Sequence, residues 1–337
     1  MAFNRILIAN RGEIAIRLSR AIADCDATSV AVYAEDDAQS LHVRSADQAV
    51  ALQGQGVAAY LDAAQLIRIA KEQDCDAIHP GYGFLSENAD FARACQQAGI
   101  TFIGPAPEVL DTFGDKASAR RLAQQQGVPL TQGTNEPTTL EQARDFMQSL
   151  GDGAAVMLKA LAGGGGRGMR AVHDLAELDD AFARCSSEAT AAFGRGDLYV
   201  ERLIRRARHI EVQIIGDGTE VAHVWERDCT LQRRNQKLLE VAPAPSLDPA
   251  VREQLHAAAC TLTRAVGYRG LCTVEFLLDE ERGDFVFMEA NPRIQVEHTV
   301  TEAVTGLDLA VTQIQLAAGK TLAELGLTQA DIPAARG

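Results

Sequence analysis

The stretch that decides the fold reads Phe285-Val-Phe-Met-Glu289-Ala-Asn291-Pro-Arg293-Ile-Gln295-Val-Glu297-His298. Its apolar beginning, residues 285–288, predicts a β-strand. If the extended backbone continues, side chains alternate between two faces, so residues 289, 291, 293, 295 and 297 share one face. Carboxylate and amide oxygens suit a hard cation such as Mg²⁺, and the arginine suits a small oxyanion. The stretch therefore predicts a strand that holds a cation beside an anion, with a polar edge strand as the simpler alternative.

A second apolar run, Cys272-Thr-Val-Glu275-Phe-Leu-Leu278, predicts the partner strand of a hairpin whose turn lies at residues 281–283. Folding the hairpin about residue 282 places Glu275 opposite Glu289. Cross-strand neighbours lie about 5 Å apart, so the two carboxylates repel unless a cation bridges them. Asn291 follows on the same face. Glu275, Glu289 and Asn291 are thus a predicted Mg²⁺ (or Mn²⁺) site, and two solvated carboxylates are the alternative, disfavoured by the apolar flanks.

The first third of the chain alternates strands with amphipathic helices. The predicted strands are residues 5–9, 29–34 and 76–79, and the predicted helices are residues 13–24, 63–73 and 88–98. This alternation predicts an α/β fold with a parallel sheet and crossover helices. The turn Asn10–Glu13 followed by Glu35-Asp36 invites a dinucleotide-binding interpretation, but the motif GxGxxG is absent and NAD binding is rejected.

The rest of the chain divides into a smaller unit and a strand-rich unit. After a predicted helix at 116–127, the smaller unit has strands 154–160, 169–173 and 197–201 with a helix at 175–192. Beyond residue 205 the predicted strands are 209–215, 220–227, 270–278 and 284–291, with helices at 250–266 and 300–318. A chain of 337 residues is long enough for two or three domains.

A glycine loop, Gly163-Gly-Gly-Gly-Arg-Gly168, separates two of the strands in the smaller unit. Its five glycines allow backbone amides to approach an anion closely. It is not a Walker A loop, because the GK[ST] ending is missing and a strand follows it. The pattern is typical of a hairpin lid over phosphates with Lys159 beside it, or of a plain hairpin tip.

Other polar stretches are weaker signals. Lys237 ends a basic run and could join Arg293 in a patch for a small anion, although such runs are more often solvated faces. Residues 79–88 follow a strand end, where crevices form in open α/β sheets. A lone histidine such as His209 is by default a structural residue.

Composition excludes several function classes. The net charge of −14 argues against general affinity for nucleic acid or anionic membranes. No run approaches a membrane span, and a first strand near Arg5 leaves no room for a signal peptide. The seven cysteines are scattered without a CxxC pair, so we expect reduced thiols in a cytoplasmic protein.

Five segments together match a known family. They are residues 9–17 (ANRGEIAIR), residues 79–88 (HPGYGFLSEN), the glycine loop, residues 226–237 (ERDCTLQRRNQK) and residues 289–298 (EANPRIQVEH). With these, the chain resembles the biotin carboxylase component of biotin-dependent carboxylases, in the ATP-grasp superfamily. The resemblance implies a Rossmann-like N-terminal (pre-ATP-grasp) domain at 1–114 and an ATP-grasp domain at 115–330, with a glycine-rich lid at about 135–203.

The resemblance also implies a reaction. ATP and bicarbonate form carboxyphosphate, whose carboxyl group passes to N1 of biotin on a carrier protein. The implied partners are that carrier, a carboxyltransferase and possibly a second copy of the chain. Another ATP-grasp ligase of the carbamoyl phosphate synthetase type, or a nucleotide-binding module without turnover, remains an alternative.

Site residues follow from the matching positions. Phosphate or ribose contacts are implied for Lys116, Lys159, Gly165, Gly166 and His209. The implied adenine hinge is Glu201, Arg202, Leu203 and Ile204, and Gln232 and Asn235 also line the nucleotide site. Mg²⁺ is assigned to Glu275, Glu289 and Asn291. Bicarbonate is assigned to Lys237, Arg293, Gln295 and the Val296 backbone, with Glu297 as the general base and Arg293 also stabilising the reacting anions.

The chain departs from the family pattern at a few places. Asn235 stands where many members carry histidine, Ala162 replaces a loop glycine, and Pro292 is an unusual neighbour of Asn291. Family members continue for about another domain beyond Gly337, with an arginine that steadies the biotin enolate and much of the dimer interface. We therefore expect the C-terminal biotin carboxylase domain to be absent from this sequence.

Overall fold

The structure is a computed structural model, and it describes residues 2–134, 136–151, 153–161, 168–233 and 236–336. Three sheets organise these residues. Within the described part, no helix is long and apolar enough to cross a membrane.

The N-terminal part is an open parallel sheet covered by helices. Its strands are β1 (Arg5–Ile8), β2 (Thr28–Tyr33), β3 (Gln48–Ala51), β4 (Ala77–His79) and β5 (Thr101–Phe102). Its helices are α1 (Gly12–Asp24), α2 (Leu41–Ser45), α3 (Gly56–Tyr60), α4 (Ala63–Glu72), α5 (Ala89–Gln97) and α6 (Pro107–Gly114). The order β3-β2-β1-β4-β5, with every pairing parallel, confirms the predicted α/β sheet.

The strand order of this sheet reverses between β1 and β4, so the loops after these strands meet at one crevice. Asn10, just after β1, donates from Nδ2 to the carbonyls of Pro80 and Tyr82. Gly81 has a positive φ of 66°, and a side chain there would meet the Asn10 amide at 2.9 Å. A glycine is therefore required for this close approach.

The smaller unit is a three-stranded antiparallel sheet, ordered β7-β6-β8, with two long helices. After α7 (Lys116–Gln125), its elements are α8 (Leu140–Ser149), β6 (Val156–Ala160), β7 (Met169–Val172), α9 (Leu178–Phe193) and β8 (Leu198–Arg202). Thr139 and Gln142 form a capping box that begins α8, a helix that the sequence analysis missed. Buried strand residues, among them Val156, Leu158, Leu198 and Val200, form its core with the helices.

The third unit is an antiparallel sheet with the order β11-β10-β9-β12-β13. Its elements are β9 (Ala207–Asp217), β10 (Val221–Arg233), β11 (Gln236–Val241), α10 (Pro249–Ala265), β12 (Arg269–Asp279), β13 (Phe285–Asn291), α11 (His298–Thr305), α12 (Leu309–Ala317) and α13 (Leu322–Leu325). One face of the sheet packs on α10 and α7, and the other packs on α1 and α12. The packing against α1 joins this sheet to the N-terminal part. The crevice after β1 and β4 therefore lies towards the end of β13.

Two predicted elements were wrong. The expected extended row from residue 289 to residue 297 ends at Asn291, because β13 stops there and Val296-Glu297 form a turn into α11. The expected helix 300–318 is two helices, since Gly306 adopts a left-handed conformation that ends α11. The domain boundary near residue 114 stays a prediction.

Candidate functional site

Glu275 and Glu289 are direct partners across the β12–β13 hairpin, as predicted. The pairing depends on an irregularity: Phe276 pairs with Phe287, whereas Glu275 pairs with Glu289, so Met288 is an extra residue in β13. Such a bulge shifts the register by one residue and sets which side chains share a face. Asn291 lies on the same face and donates from Nδ2 to Oε1 of Glu275 at 2.9 Å.

The environments of the two carboxylates differ. Burial raises the pKa of Glu289, and the charge of Glu275 raises it further. Burial also acts to raise the pKa of Glu275, but a hydrogen bond from His209 and the charge of Lys237 outweigh it and lower the pKa. Among the described residues, no basic side chain forms a salt bridge with Glu289, and the charge of Lys116 acts to lower its pKa.

This donor set fits a divalent cation. Two facing carboxylates and an amide oxygen are hard oxygen ligands, and a cation between them would remove the repulsion that raises the pKa of Glu289. Glu275, Glu289 and Asn291 are therefore the residues that could hold Mg²⁺. Their role as metal ligands stays a prediction.

Lys237 lies among three carboxylates, those of Glu211, Glu275 and Glu297. Its Nζ contacts Glu211 at 2.6 Å, Glu275 at 3.1 Å and Glu297 at 2.6 Å. Burial alone would lower the pKa of Lys237, but the three carboxylates raise it, so the ammonium form is held. The lysine is only 22% exposed, so the prediction of a solvated basic face is wrong at this position.

Arg293 is held by side chains from its own stretch and from the N-terminal part of the chain. Its Nε forms an ion pair with Glu87, Nη1 donates to Oε1 of Gln295 at 2.9 Å, and Nη2 donates to Oδ1 of Asn291 at 3.2 Å. The predicted residues 291, 293 and 295 are thus brought together by a folded segment rather than by strand alternation. Gln295 is buried, and the side chain of Val296 is 58% exposed.

Lys159, a predicted phosphate contact, forms an ion pair with Glu201 that the sequence did not predict. Lys159 on β6 contacts Glu201 on β8 at 2.5 Å, and Arg120 on α7 contacts the other oxygen of Glu201 at 2.6 Å. The side chain of Glu201 therefore contacts two cations. Burial lowers the pKa of Lys116, with Glu289 acting in the opposite direction and Lys159 in the same direction.

The other three predicted adenine-hinge residues pack within the protein. Arg202 forms an ion pair with Asp279 at 3.2 Å, the N–H of Leu203 donates to the carbonyl of Ala155 at 2.8 Å, and Ile204 is buried. The ion pair of Arg202 with Asp279 connects the smaller unit to the end of β12 in the large sheet.

His209 and Gln232, two of the predicted nucleotide-site residues, are neighbours. Nε2 of Gln232 lies 2.9 Å from Nδ1 of His209, and Nε2 of His209 lies 2.9 Å from Glu275. Burial opposes protonation of His209, but the hydrogen bond and charge of Glu275 raise its pKa overall. Three other predicted residues, Gly165, Gly166 and Asn235, lie outside the described residues, as do Ala162 and most of the glycine loop.

Sequence reasoning missed Glu211, Arg227, Glu87 and Tyr82. Glu211 could have been found, because His209, Glu211 and Gln213 alternate as polar residues within an apolar strand. Tyr82 donates to Glu13, and burial, that hydrogen bond and the charge of Glu297 raise its pKa. Glu87 lies in the recognised segment 79–88, but its contact with Arg293 spans 206 positions and has no local signal.

Two family descriptions match the chain. Residues 2–110 match "Biotin carboxylase, N-terminal domain", and residues 115–325 match "Carbamoyl-phosphate synthase L chain, ATP binding domain". The chain is 52% identical over 335 residues to pyruvate carboxylase 1 of Caenorhabditis elegans, and 50% identical over 333 residues to mitochondrial pyruvate carboxylase of Homo sapiens. These alignments cover 98% and 97% of this chain but 28% of each relative.

Several solved structures also match this chain, and the match covers a larger share of their own length. The biotin carboxylase domain of a single-chain bacterial carboxylase is 57% identical, with a TM-score of 0.88 over 99% of this chain and 72% of that one. Biotin carboxylase from Campylobacter jejuni, solved with β,γ-ATP, is 43% identical, with a TM-score of 0.92 over 98% and 73%.

A third structure contains the ligands most relevant to this site. The biotin carboxylase domain dimer of 2-oxoglutarate carboxylase from Hydrogenobacter thermophilus, solved with MgADP, ADP and bicarbonate, is 43% identical, with a TM-score of 0.91 over 99% and 73%. Matches of this identity and coverage extend across the parallel sheet, the smaller unit and the large antiparallel sheet. The chain belongs to the biotin carboxylase family.

Proposed function

We propose that this chain uses ATP and bicarbonate to form carboxyphosphate and passes the carboxyl group to N1 of biotin on a carrier protein. The observation that carries the proposal is the position of Lys237, whose ammonium contacts Glu297 at 2.6 Å and Glu275 at 3.1 Å. One cation thus links the proposed general base to the proposed metal pair. Family membership and the ligands of the solved relatives support the assignment.

The residues divide the work between two ends of the site. Glu275, Glu289 and Asn291 would hold Mg²⁺, which when bound supplies positive charge to the phosphates of ATP. Lys116 and Lys159 supply further positive charge for the phosphates, because phosphoryl transfer relies on cations and positioning. Glycines 165 and 166 and Asn235 remain proposed nucleotide contacts.

At the other end, Glu297 would accept the proton of bicarbonate. A bicarbonate oxygen then attacks the γ-phosphorus of ATP, and ADP leaves. Arg293, Lys237 and Gln295 would bind the anion, with Arg293 exchanging part of its contact with Glu87 for the substrate. In the second step the bond between the carboxyl group and phosphate breaks, the carboxyl group bonds to N1 of biotin, and the departing phosphate accepts the proton of N1.

Bicarbonate labelled with ¹⁸O tests the reaction. Attack by bicarbonate on the γ-phosphorus transfers one labelled oxygen to the phosphate product, and free biotin should increase turnover. Phosphate without label, or phosphorylation of carbamate in place of bicarbonate, would overturn the proposal in favour of another ATP-grasp ligase. ATP binding without any turnover would indicate a nucleotide-binding module.

Glu297→Gln is the matching variant, and we expect it to abolish label transfer while ATP still binds. Glu302→Gln on the same helix is the control, because Glu302 pairs with Arg17 away from the site. Equal losses in both variants would show that Glu297 acts through helix stability.

The carboxylase partners are proposals too. A biotin carrier, a carboxyltransferase and a homodimer are supported by the carboxylase relatives, one of which is a domain dimer. Carboxylation of a purified biotinylated carrier, and light scattering of the protein, test them. We also propose a cytoplasmic location, supported by seven free cysteines and testable by cell fractionation.

A further inference from the structure

Arg227 on β10 is a cation that the proposed reaction does not use. Its side chain is completely buried, a rare position for a charged group. Its Nε donates to Oε1 of Glu211 at 2.5 Å, and Nη1 donates to Gln213 at 2.9 Å and to Thr301 at 2.8 Å. Its Nη2 donates to Thr273 at 3.1 Å. Four hydrogen bonds fix this guanidinium between β9, β12 and α11.

Glu211 connects Arg227 to the site. Its Oε1 accepts from Arg227, and its Oε2 accepts from Lys237 at 2.6 Å. Glu211 is also completely buried and is the β9 partner of Glu275. Arg227, Glu211 and Lys237 therefore form a continuous chain of charges, which we call the buried charge chain.

The buried charge chain determines where the ammonium of Lys237 lies. Arg227 donates to one oxygen of Glu211, and Lys237 donates to the other. Nζ of Lys237 is then left with contacts to Glu275 and Glu297. Without Arg227, both oxygens of the buried carboxylate would turn to Lys237 as their remaining cation. The ammonium would then be drawn towards Glu211 and away from Glu297.

Arg227 also holds the helix that follows Glu297. Thr301 lies on α11, and Glu297 is the residue immediately before that helix. The hydrogen bond from Nη1 to Thr301 therefore fixes α11 against β10. A single guanidinium thus fixes both partners of the contact between Lys237 and Glu297.

We propose that Arg227 is a positioning residue, which orients Glu211 and α11 so that Lys237 and Glu297 stay in contact at the anion end of the site. The effect of Arg227 on turnover rests on the proposed function. A purely structural ion pair is the alternative, and the chain offers one for comparison. Arg252 contacts the completely buried Glu226 at 2.9 Å, and the other side-chain hydrogen bonds of this pair in the described part of the chain are with Ala244 and His256 rather than with site residues.

The test compares Arg227→Met, Arg227→Lys and the control Arg252→Met. Bicarbonate-dependent ATP hydrolysis gives kcat and KM, calorimetry gives the Kd for ATP, and thermal unfolding gives Tm. We expect Arg227→Met to lower kcat/KM for bicarbonate by on the order of 10- to 100-fold, as for other residues that orient a ligand-binding group. The Kd for ATP should stay close to that of the wild type. Arg227→Lys should recover part of the loss, because a lysine can still pair with Glu211.

A double-mutant cycle with Glu211→Gln tests the route of the effect. If Arg227 acts through Glu211, Arg227→Met should cost much less in the Glu211→Gln background than in the wild type. Additive losses, or a parallel fall in Tm and ATP binding that Arg252→Met reproduces, would overturn the proposal. Should Arg227→Met fail to fold, Arg227→Lys takes its place in the cycle.

A crystal structure of the variant separates this inference from the proposed function. We expect Nζ of Lys237 to move away from Glu297, beyond the present 2.6 Å. An unmoved Lys237 overturns the positioning role whatever the activity. A wild-type protein without bicarbonate-dependent turnover overturns the proposed function, and the movement of Lys237 then decides the positioning role alone.

Discussion

Glu275 and Glu289 face each other across the β12–β13 hairpin only because Met288 is an extra residue in β13. A regular hairpin continuing from the pair Phe276 and Phe287 would set Glu275 opposite Met288. The bulge therefore creates the pair of carboxylates and orients both towards the side that carries Asn291. Bulges recur next to functional sites for this reason.

The first prediction concerns Glu289. Glu289→Gln should weaken the dependence of turnover on Mg²⁺, raising the Mg²⁺ concentration for half-maximal activity by at least about tenfold, because one charged ligand is lost. A magnesium titration of ATP hydrolysis measures the change. Glu281→Gln at the exposed hairpin turn is the control. An unchanged magnesium requirement in Glu289→Gln would refute the metal assignment.

Arg293 gives the second prediction. Arg293→Ala should abolish bicarbonate-dependent turnover and leave the Kd for ATP unchanged, because its described contacts are with Glu87, Asn291 and Gln295. Calorimetry with ATP and turnover at saturating ATP separate the two effects. If ATP affinity falls as much as turnover, Arg293 serves the nucleotide instead.

The third prediction follows from the pairing of Lys159 with Glu201. Lys159→Met should weaken the binding of ATP and ADP, because it removes a proposed phosphate contact and one of the two cations that contact Glu201. Calorimetry measures both affinities. Lys71→Met, on α4 of the N-terminal part, is the control, and equal affinities in Lys159→Met and the wild type would contradict the assignment.

The fourth prediction concerns acid stability. His79 is completely buried, and its Nδ1 accepts a hydrogen bond from the N–H of Gly81 at 3.1 Å, so the neutral ring is required. Burial lowers its pKa to about 3. The unfolded chain, with a histidine pKa near 6.5, binds the proton first as pH falls. Stability should therefore decrease as pH falls from about 6.5 towards 3.

His79→Asn removes this titration and keeps an oxygen that can accept from Gly81. Urea unfolding at pH 7, 6 and 5 should show a lower stability of the variant at pH 7 and a shallower decrease towards pH 5. Parallel curves for the variant and the wild type would show that His79 does not contribute to the acid sensitivity.

The predictable parts of the fold depend on local patterns. The apolar runs at residues 5–9 and 29–34 and the amphipathic helix between them specified parallel strands, because side-chain periodicity is set by neighbouring residues. The hairpin at residues 272–291 was also predictable, since its two strands flank one short turn. The break at Gly306 was missed because the apolar periodicity continues on both sides of it.

The sequence by itself determined the parallel sheet, the hairpin that contains Glu275 and Glu289, and the family that the chain belongs to. The bulge at Met288 that pairs these two carboxylates was decided by the structure. Only the tertiary structure decided that Lys237 lies among Glu211, Glu275 and Glu297, and that Arg293 pairs with Glu87. It also decided that the guanidinium of Arg227 is completely buried and pairs with Glu211. These contacts join residues 16 to 206 positions apart, and burial changes the energy of a charge in a way that no local pattern records.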